Sequence, residues 1–341
     1  MNPTPPRVRR QPASFSIVIP VYFNEASLVE LHAGLTAGAQ RHPEVPYEII
    51  FVDDGSEDGS FARLEELAAA DPCVRVLQLS RNFGAHNACM AGLSVARGEC
   101  VAVMGADLQD PPDLPWQMLE RWGPDTPVVV AARRSRDDAT SRVLFAALYY
   151  RIMRRVAFPR LPRGGFDCFL IDRRVVDYLN TLGEANASVS GLVLWTGFRF
   201  AEISYDRLAR PFGRSRWTFG KRVKLLIDSV VGFSYAPIRL MSAVGVSLGV
   251  IGFLYAGLIT VRKLTEGIEV SGWSSLMAVL LVLSGVQLIA LGVLGEYVWR
   301  TLAAARQRPN FIIAASRNLE HGFPLPQGEG QGEGIRTPAR L

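Results

Sequence analysis

A short polar stretch in the middle of the chain carries residues that could bind a cation. The apolar run 101–104 ends at Gly105 and is followed by Asp107, Gln109 and Asp110. This pattern predicts a buried strand that ends in a polar loop. Ligands of open α/β sheets bind beyond the carboxyl ends of strands, where closely spaced oxygens suit a divalent cation carrying a phosphorylated substrate. Because Asp110 precedes two prolines, a helix cap is an equally open interpretation.

A second pair of acids follows another apolar run. Asp53 and Asp54 come directly after the run 47–52 and precede Gly55. Acids at this place in dinucleotide-binding folds bind ribose, so we interpret the pair as ligands of a ribose or a base. The alternative is an Asx turn in which Gly55 supplies a positive φ. The chain has no G-x-G-x-x-G or P-loop pattern, which argues against NAD or ATP bound in the usual ways.

The elements that must position these acids follow from hydrophobic periodicity. Strands are predicted at 15–21, 47–52, 74–79, 100–104, 128–132 and 200–205. Helices are predicted at 26–40, 61–70 and about 85–96. Strands that alternate with helices predict βαβ units and a mainly parallel sheet. The polar loops after the first, second and fourth strands should therefore open on one edge of that sheet.

Composition separates a polar first part from an apolar last third. Of the 341 residues 49% are hydrophobic, the net charge is +5, and arginines cluster at 133–163 and 207–224. The four cysteines lack paired or metal-type spacing, which favours a reducing compartment. Residues 1–13 have no apolar core and do not resemble a signal peptide. Residues 314–341, rich in Gly, Pro and charge, are expected to be disordered and dispensable.

Two apolar runs, at about 241–261 and 276–298, are long enough to cross a bilayer, which takes roughly 20 residues. Basic residues lie before the first run and after the second, so the positive-inside rule predicts that both termini, and the polar first part of the chain, are cytosolic. Segments 142–158 and 221–232 combine apolar and basic residues as membrane-interface helices do. For 142–158, an ordinary surface helix packed on the sheet is the alternative.

Four motifs carry a family resemblance: P-V-Y-F-N-E at 20–25, V-D-D-G-S-E-D-G-S at 52–60, S-R-N-F-G at 80–84 and A-D-L-Q-D-P-P at 106–112. In this order and spacing the chain resembles family 2 glycosyltransferases of the GT-A fold. Within them it is most similar to the polyprenyl-phosphate glycosyltransferases, the group of dolichol-phosphate mannose synthase and bactoprenol glucosyltransferases. The resemblance implies an α/β, Rossmann-like catalytic domain with amphipathic interfacial helices and a C-terminal two-helix transmembrane hairpin.

The resemblance and the composition together divide the chain into five parts. We expect a disordered N-terminus at 1–14, the catalytic domain at 15–217 and an interfacial helix at 218–237. Two transmembrane helices would lie within 238–300. A cytosolic tail at 301–341 would be mostly disordered after 313.

The resemblance also implies a site for a nucleotide sugar. Its residues would be Pro20, Tyr22, Glu25 and Asp53 at the base and ribose, Asp54 in support, Arg81 near the phosphates and Asp107 at the sugar diphosphate. Asp107 and Gln109 match the positions that hold Mg²⁺ or Mn²⁺. The family usually has D-x-D here, and Gly105 in place of the first acid should weaken cation binding. Gly105 has three possible explanations, given in order of preference. The diphosphate of the nucleotide sugar completes the metal site, the donor is unusual, or the enzyme is impaired.

For the acceptor, the segments 164–173 and 210–217 resemble family segments near the sugar and the lipid phosphate. The resemblance implies that Asp167 acts beside Asp107 as a catalytic residue. Guanidinium and hydroxyl donors bind phosphate well, although a positive-inside cluster without a specific ligand is the alternative. The candidate lipid-phosphate ligands are Arg133, Arg134, Arg210, Ser215 and Arg216.

The predicted function is therefore metal-dependent, inverting transfer of a sugar from a UDP- or GDP-sugar to a polyprenyl phosphate of undecaprenyl or dolichyl type. The transfer would take place at the cytosolic face of the membrane. A catalytically impaired, membrane-anchored scaffold that binds nucleotide sugars is one alternative. A polysaccharide-synthesising family 2 enzyme is the other, disfavoured because the chain lacks Q-x-x-R-W and has only two apolar runs. No nucleic-acid partner is expected, and the resemblance suggests a homotetramer.

Overall fold

A computed structural model describes residues 12–134, 140–162, 164–184, 187–209, 211–212, 219–266 and 272–319. The strands are β1 (Phe15–Val21), β2 (Tyr47–Asp53), β3 (Val74–Leu79), β4 (Cys100–Val103), β5 (Val128–Arg133), β6 (Cys168–Asp172), β7 (Phe200–Tyr205) and β8 (Ile313–Arg317). The helices are α1 (Leu28–Ala39), α2 (Ser60–Ala70), α3 (Ala85–Val95), α4 (Leu114–Leu119), α5 (Thr140–Val156), α6 (Arg173–Thr181), α7 (Val189–Trp195), α8 (Phe219–Phe233), α9 (Ala236–Glu266) and α10 (Trp273–Ala305). All six predicted strands are present within one residue of their predicted bounds.

The eight strands form one sheet in the order β7-β5-β6-β4-β1-β2-β3-β8. The pairs β1–β2, β1–β4, β2–β3 and β5–β7 are parallel, whereas β6 and β8 run antiparallel to their neighbours. The prediction of a mainly parallel sheet is confirmed. Its first four strands are apolar on both faces because helices cover both sides, as buried parallel sheets require.

The two faces of the sheet bury separate cores. One face packs against α1, α2 and α4, where Leu31, Leu64 and Trp116 are fully buried or nearly so. The other packs against α3, α6 and α7, with Leu93 and Val176 fully buried. This two-sided packing fixes the strands rigidly, so the loops at their ends start from well-defined positions.

Two strands were missed by the sequence analysis. β6 pairs with both β4 and β5, in a segment interpreted above only through its family resemblance. β8 pairs with β3, so the expectation of disorder from residue 314 is wrong for 314–317, and the catalytic sheet is not confined to 15–217. The sequence Ile-Ala-Ala-Ser-Arg has little apolar character, and its strand conformation comes from pairing with β3 rather than from propensity.

Helices α9 and α10 are long and apolar enough to cross a membrane, by length and composition, over Ala236–Arg262 and Val279–Ala305. They extend several residues beyond the apolar runs at both ends, because composition does not mark where a helix stops. Helix α5 packs on α8, where the Tyr149 hydroxyl lies 3.0 Å from the Ser229 hydroxyl. This packing is compatible with both interpretations of the segment 142–158, as a membrane-interface helix and as an ordinary surface helix.

Candidate functional site

The carboxyl ends of six strands meet along one edge of the sheet, here called the rim. It carries the loops after β1, β2, β3, β4, β5 and β7. Because β6 and β8 run antiparallel, the residues just before these two strands reach the same edge. The expectation that the loops after the first, second and fourth strands open together is confirmed. The rim is therefore the place where most candidate residues can act together.

Asp53 closes β2 and is fully buried. Its carboxylate accepts a hydrogen bond from the Ser56 backbone N–H, and Gly55 has a φ of 68°. The Asx-type turn considered above is therefore formed, and burial raises the pKa of the Asp53 carboxyl. The structure supports a turn-forming role for Asp53, and direct contact with a base or ribose stays a prediction.

Asp54 holds the loop 80–84 in place. Its two carboxylate oxygens accept hydrogen bonds from the backbone N–H groups of Phe83, at 2.7 Å, and Gly84, at 2.9 Å. The supporting role predicted for Asp54 agrees with these contacts. Burial raises its pKa to about 6, since desolvation outweighs the two hydrogen bonds that favour the ionised form. A side chain at Gly55 would collide with the Arg81 backbone, so the loops after β2 and β3 touch closely.

The loop after β1 is bound to both neighbouring loops. Pro20 lies within β1, and Tyr22 is half-buried beyond the strand end. The exposed Glu25 accepts a hydrogen bond from the Gly59 N–H at 3.0 Å. The Ser27 hydroxyl donates to the Ala106 carbonyl at 2.7 Å. Three of the four motif loops are thus tied together by specific hydrogen bonds.

Arg81 is exposed at the tip of the loop 80–84. Its guanidinium carbon lies 4.0 Å from the centroid of the Phe83 ring. This cation–π contact orients the side chain while leaving its charge accessible to solvent. The predicted position near a phosphate is compatible with this placement.

The loop after β4 turns sharply to place Asp107 and Gln109 outward. Leu108 between them has a φ of 55°, an unusual conformation for leucine, and its side chain is buried in the core. Asp107 and Gln109 are half-buried, and the Gln109 backbone N–H donates to the Asp107 carboxylate at 3.2 Å. Strained backbone of this kind concentrates at ligand sites, since packing must hold it in place.

Asp110 has a role that the sequence did not indicate. It is nearly completely buried, and its carboxylate accepts a hydrogen bond from the Tyr205 hydroxyl at the end of β7. The cap interpretation is wrong, because the next helix begins at Leu114. Burial raises the pKa of Asp110, while the nearby guanidinium groups of Arg133 and Arg207 oppose that shift.

Two ion pairs lie at the part of the rim formed by the ends of β5 and β7. Arg133, with a mostly buried side chain, donates to the exposed carboxylate of Asp167, which raises the pKa of the guanidinium. Arg134, exposed, pairs with Asp206 at 3.2 Å. Two of the candidate phosphate ligands are thus positioned at the rim, with Asp167 beside them.

The other three candidate phosphate ligands, Arg210, Ser215 and Arg216, lie outside the described residues. The segment that leads to them is described and touches the loop 105–110 that follows β4. The Leu208 N–H donates to the Gln109 carbonyl at 2.9 Å, and the Gln109 side chain approaches the Leu208 carbonyl at 3.5 Å.

Sequence reasoning also missed Arg207. The Nε atoms of Arg133 and Arg207 are both buried and lack a hydrogen-bond partner in the part of the chain that the structure describes. Arg207 follows β7 by two residues, so applying the strand-end rule to β7 would have found it.

A divalent cation at this rim would rest on few protein ligands. Asp107 and Gln109 supply hard oxygen atoms of the type that Mg²⁺ and Mn²⁺ prefer. Among the described residues, no group of three or more His, Cys, Asp or Glu side chains is arranged to hold a metal ion. A Cβ at Gly105 would lie 3.6 Å from the Asp107 carboxylate, at ordinary contact distance, so the usual first acid is missing rather than sterically excluded. The residues present fit a cation whose coordination is completed by a bound diphosphate.

Comparison with known proteins identifies the family. Residues 16–179 match Glycosyl transferase family 2, and residues 236–300 match the GtrB C-terminal hairpin. The uncharacterized glycosyltransferase YkcC of Bacillus subtilis is 37% identical over 308 residues, covering 90% of this chain and 95% of YkcC. The bactoprenol glucosyl transferase of Shigella phage SfII is 33% identical over 302 residues, covering 88% of this chain and 97% of the relative. The chain belongs to the family 2 glycosyltransferases.

In this glycosyltransferase the sheet is that of a Rossmann-like GT-A catalytic domain, and helices α9 and α10 correspond to the matched hairpin. The resemblance inferred from the four motifs is confirmed. The two matched regions together span most of the chain, so the catalytic domain and the hairpin belong to one polypeptide.

Proposed function

We propose that this glycosyltransferase transfers one sugar from a nucleotide diphosphate sugar to a polyprenyl phosphate at the cytosolic membrane face. One observation carries the proposal: the diphosphate loop 105–110 is hydrogen-bonded to the segment 205–209, through Leu208 and Gln109. That segment leads directly into the basic stretch 210–217 and then into α8 and the hairpin. A dissolved donor and a membrane-confined acceptor would meet at this junction.

The relatives support a lipid acceptor. Those from Shigella phages SfII, SfV and SfX are named bactoprenol glucosyl transferases and are 31–33% identical to this chain. Two helices able to span a bilayer would hold the catalytic domain beside such a lipid. The basic residues that flank the hairpin favour a cytosolic catalytic domain and cytosolic termini. The homotetramer implied by the resemblance stays a prediction, which light scattering of the detergent-solubilised protein would test.

On the donor side, the nucleotide would lie across the loops after β1, β2 and β3, near Tyr22, Glu25 and Arg81. Asp53 and Asp54, both buried, would hold the loops after β2 and β3 in the shape that binds the nucleotide. Asp107 and Gln109 would hold Mg²⁺ or Mn²⁺ together with the diphosphate. When bound, the cation would neutralise charge that develops on the leaving diphosphate.

On the acceptor side, buried guanidinium donors support a phosphate site. A buried polar atom normally has a hydrogen-bond partner, and the Nε atoms of Arg133 and Arg207 lack one among the described residues. An acceptor phosphate near Asp110 and Asp167 would satisfy these donors. Arg134 at the surface, with Arg210, Ser215 and Arg216 beyond Leu208, would extend the positive region toward the membrane.

The chemistry needs positioning more than it needs a base. An oxygen of the lipid phosphate attacks the anomeric carbon, a C–O bond forms, and the bond to the nucleoside diphosphate breaks with its electron pair on the leaving group. Because the acceptor phosphate is already anionic, no proton has to be removed first. Attack opposite to the leaving group gives inversion. Arg133 and Arg207 would orient the nucleophile, and Asp167 would fix the Arg133 side chain by its ion pair.

The test is a transfer assay with purified protein, undecaprenyl phosphate, Mn²⁺ or Mg²⁺, and a panel of UDP- and GDP-sugars. We expect one donor to yield a polyprenyl monophosphate sugar, and the active donor identifies both base and sugar. Binding of a nucleotide sugar with no lipid product from any donor would contradict the proposed acceptor. A growing glycan chain would favour the polysaccharide-synthase alternative instead.

A further inference from the structure

The chain that follows the second apolar helix returns to the rim over a short distance. Helix α10 ends at Ala305, and Gln307 takes a left-handed φ of 46° with Pro309 two residues later. This combination stops a helix sharply and stiffens the exit. Seven residues, 306–312, separate the helix from β8. Fully extended, they span at most about 25 Å.

The returning chain attaches at the donor end of the sheet. β8 pairs antiparallel with β3, and the Ser80 N–H donates to the Ile312 carbonyl at 2.9 Å. Ser80 is the first residue of the loop 80–84, whose far end is held by Asp54. Phe311, Ile313 and Leu319 pack against the core cluster on the α3 face. β8 is thus attached directly beside the loop 80–84, which belongs to the proposed donor site.

The other end of β8 is anchored by a partly buried polar cluster, in which Asn318 is exposed and Arg75 is buried. Asn318, with a φ of 56°, donates from Nδ2 to the carbonyls of Ala68 and Val74, both at 2.8 Å. Arg75, which is 5% exposed, donates to the Asn318 carbonyl and forms an ion pair with Glu48 at 2.6 Å. These part-buried hydrogen bonds hold the end of β8, and the ladder with β3 holds the rest of the strand.

We propose that residues 306–319, here called the return strand, are a second membrane tether that sets the position of the donor rim relative to the bilayer. The first connection is at the other end of the hairpin, where two residues separate α8 from α9. One flexible connection would let the catalytic domain tilt, whereas two short ones, one through α8 and one through β8, restrict its orientation. The inference rests on the proposed function, because only a membrane-confined acceptor makes this orientation matter.

The decisive variant lengthens the tether without removing the strand. About 12 Gly/Ser residues inserted after Arg308 add a flexible coil with a root-mean-square span of about 20 Å. In nanodiscs, we expect kcat/KM for undecaprenyl phosphate to fall about tenfold or more, since small misplacements are costly in transfer reactions. The Kd for the nucleotide sugar, and kcat/KM for a water-soluble short-chain prenyl phosphate, should change less than twofold. The same insertion after Leu319, beyond the strand, is the matched control and should leave all three values unchanged.

A second variant separates tethering from simple support of the sheet. Asn318→Asp replaces the donating amide by a carboxylate facing two carbonyls, and it should loosen β8 and weaken nucleotide-sugar binding together with lipid turnover. If the variant with the insertion after Arg308 turns over the lipid as fast as the wild type, the tether proposal is wrong. Equal losses with the lipid and the short-chain acceptor would overturn it as well. If the wild-type protein itself makes no lipid product while binding the donor, the proposed function fails instead.

Discussion

The donor and acceptor sides of the rim are built differently. On the donor side, Asp53 and Asp54 are buried, and Asp54 holds the loop after β3 through hydrogen bonds at 2.7 and 2.9 Å. The Ser27 hydroxyl, beyond the loop after β1, bonds to the Ala106 carbonyl in the loop after β4 at 2.7 Å. On the proposed acceptor side, Arg134 and Asp206 are each more than 60% exposed, whereas the Arg133 side chain is mostly buried. Helices α9 and α10, further along the chain, expose long apolar side chains. The donor half is pre-organised by the chain itself. The proposed acceptor half presents exposed charge, as a site for an anionic headgroup would require.

This difference has a physical reason. A nucleotide sugar arrives from water, so its site must be formed before binding, and buried carboxylates with backbone partners give that rigidity at the cost of raised pKa values. A lipid phosphate is delivered along the membrane at high local concentration. Under the proposed function, its site would combine the mostly buried Arg133 with the exposed Arg134, and two tethers would limit where the rim lies.

The largest effect is expected at the diphosphate loop. Asp107→Ala removes the only carboxylate of the proposed cation site and should lower kcat about 100-fold or more with any donor. Steady-state kinetics with saturating lipid measures this loss. Asp107→Asn keeps the shape, so partial recovery at high Mn²⁺ would show that charge on the cation ligand is what matters. Full activity of Asp107→Ala would remove this residue from the donor site.

A smaller and one-sided effect is expected at Arg207. Arg207→Ala should raise KM for the lipid about tenfold to 100-fold, as expected for a lost charged hydrogen bond, and leave KM for the nucleotide sugar within twofold. Arg174→Ala is the matched control, because Arg174 is an exposed arginine next to Asp172 at the opposite end of the sheet. Equal rises in the KM for the lipid and the KM for the nucleotide sugar would show that Arg207 does not act on the acceptor alone.

Restoring the missing acid at residue 105 should strengthen cation binding on the donor side. Gly105→Asp has room for its Cβ, at 3.6 Å from the Asp107 carboxylate and 3.9 Å from that of Asp110. We expect the half-saturating Mn²⁺ concentration to fall roughly threefold to tenfold, because cation affinity follows ligand charge. Gly105→Asn supplies similar bulk without the charge and should have a smaller effect. An unchanged metal requirement would argue that the cation does not bind beside residue 105.

The last prediction concerns the free energy of unfolding and its dependence on pH, not activity. The pKa of Asp54 is about 6 in the folded protein and near 3.8 as a free side chain, so the folded state binds the proton more tightly. Its stabilising contribution is complete below about pH 4 and is lost as pH rises through 6, by about 3 kcal/mol at most. Thermal unfolding of wild type and Asp54→Asn from pH 4 to 8 measures this. The wild type should lose more stability with rising pH, and parallel curves would contradict the raised pKa.

Much of the donor side was predictable from sequence because its signals are local. Strands such as Phe15–Val21 are mostly apolar, and acids such as Asp53 and Asp107 stand at a strand end or a few residues beyond it. Local patterns could not show which acid is turned inward. Asp53 and Asp110 both look like ligands in the sequence, and the structure buries both.

The missed features depend on contacts distant in sequence. β8 is defined by pairing with β3, more than 230 residues earlier, and nothing in its own composition predicts a strand. The partnership of Asp110 with Tyr205 joins residues 95 positions apart. Arg207 lay in a stretch interpreted only as basic. The acceptor side was therefore less predictable, since its geometry arises from several separated segments rather than from one motif.

The most direct measurement is the mass of lipid extracted from nanodiscs that contain the protein, undecaprenyl phosphate, Mn²⁺ and the active nucleotide sugar. We expect a single new species, heavier than the starting lipid by one anhydro-sugar unit and retaining one phosphate, absent with Asp107→Ala. A lipid diphosphate sugar, a ladder of added sugars, or donor consumption with unmodified lipid would contradict transfer of one sugar to the lipid phosphate.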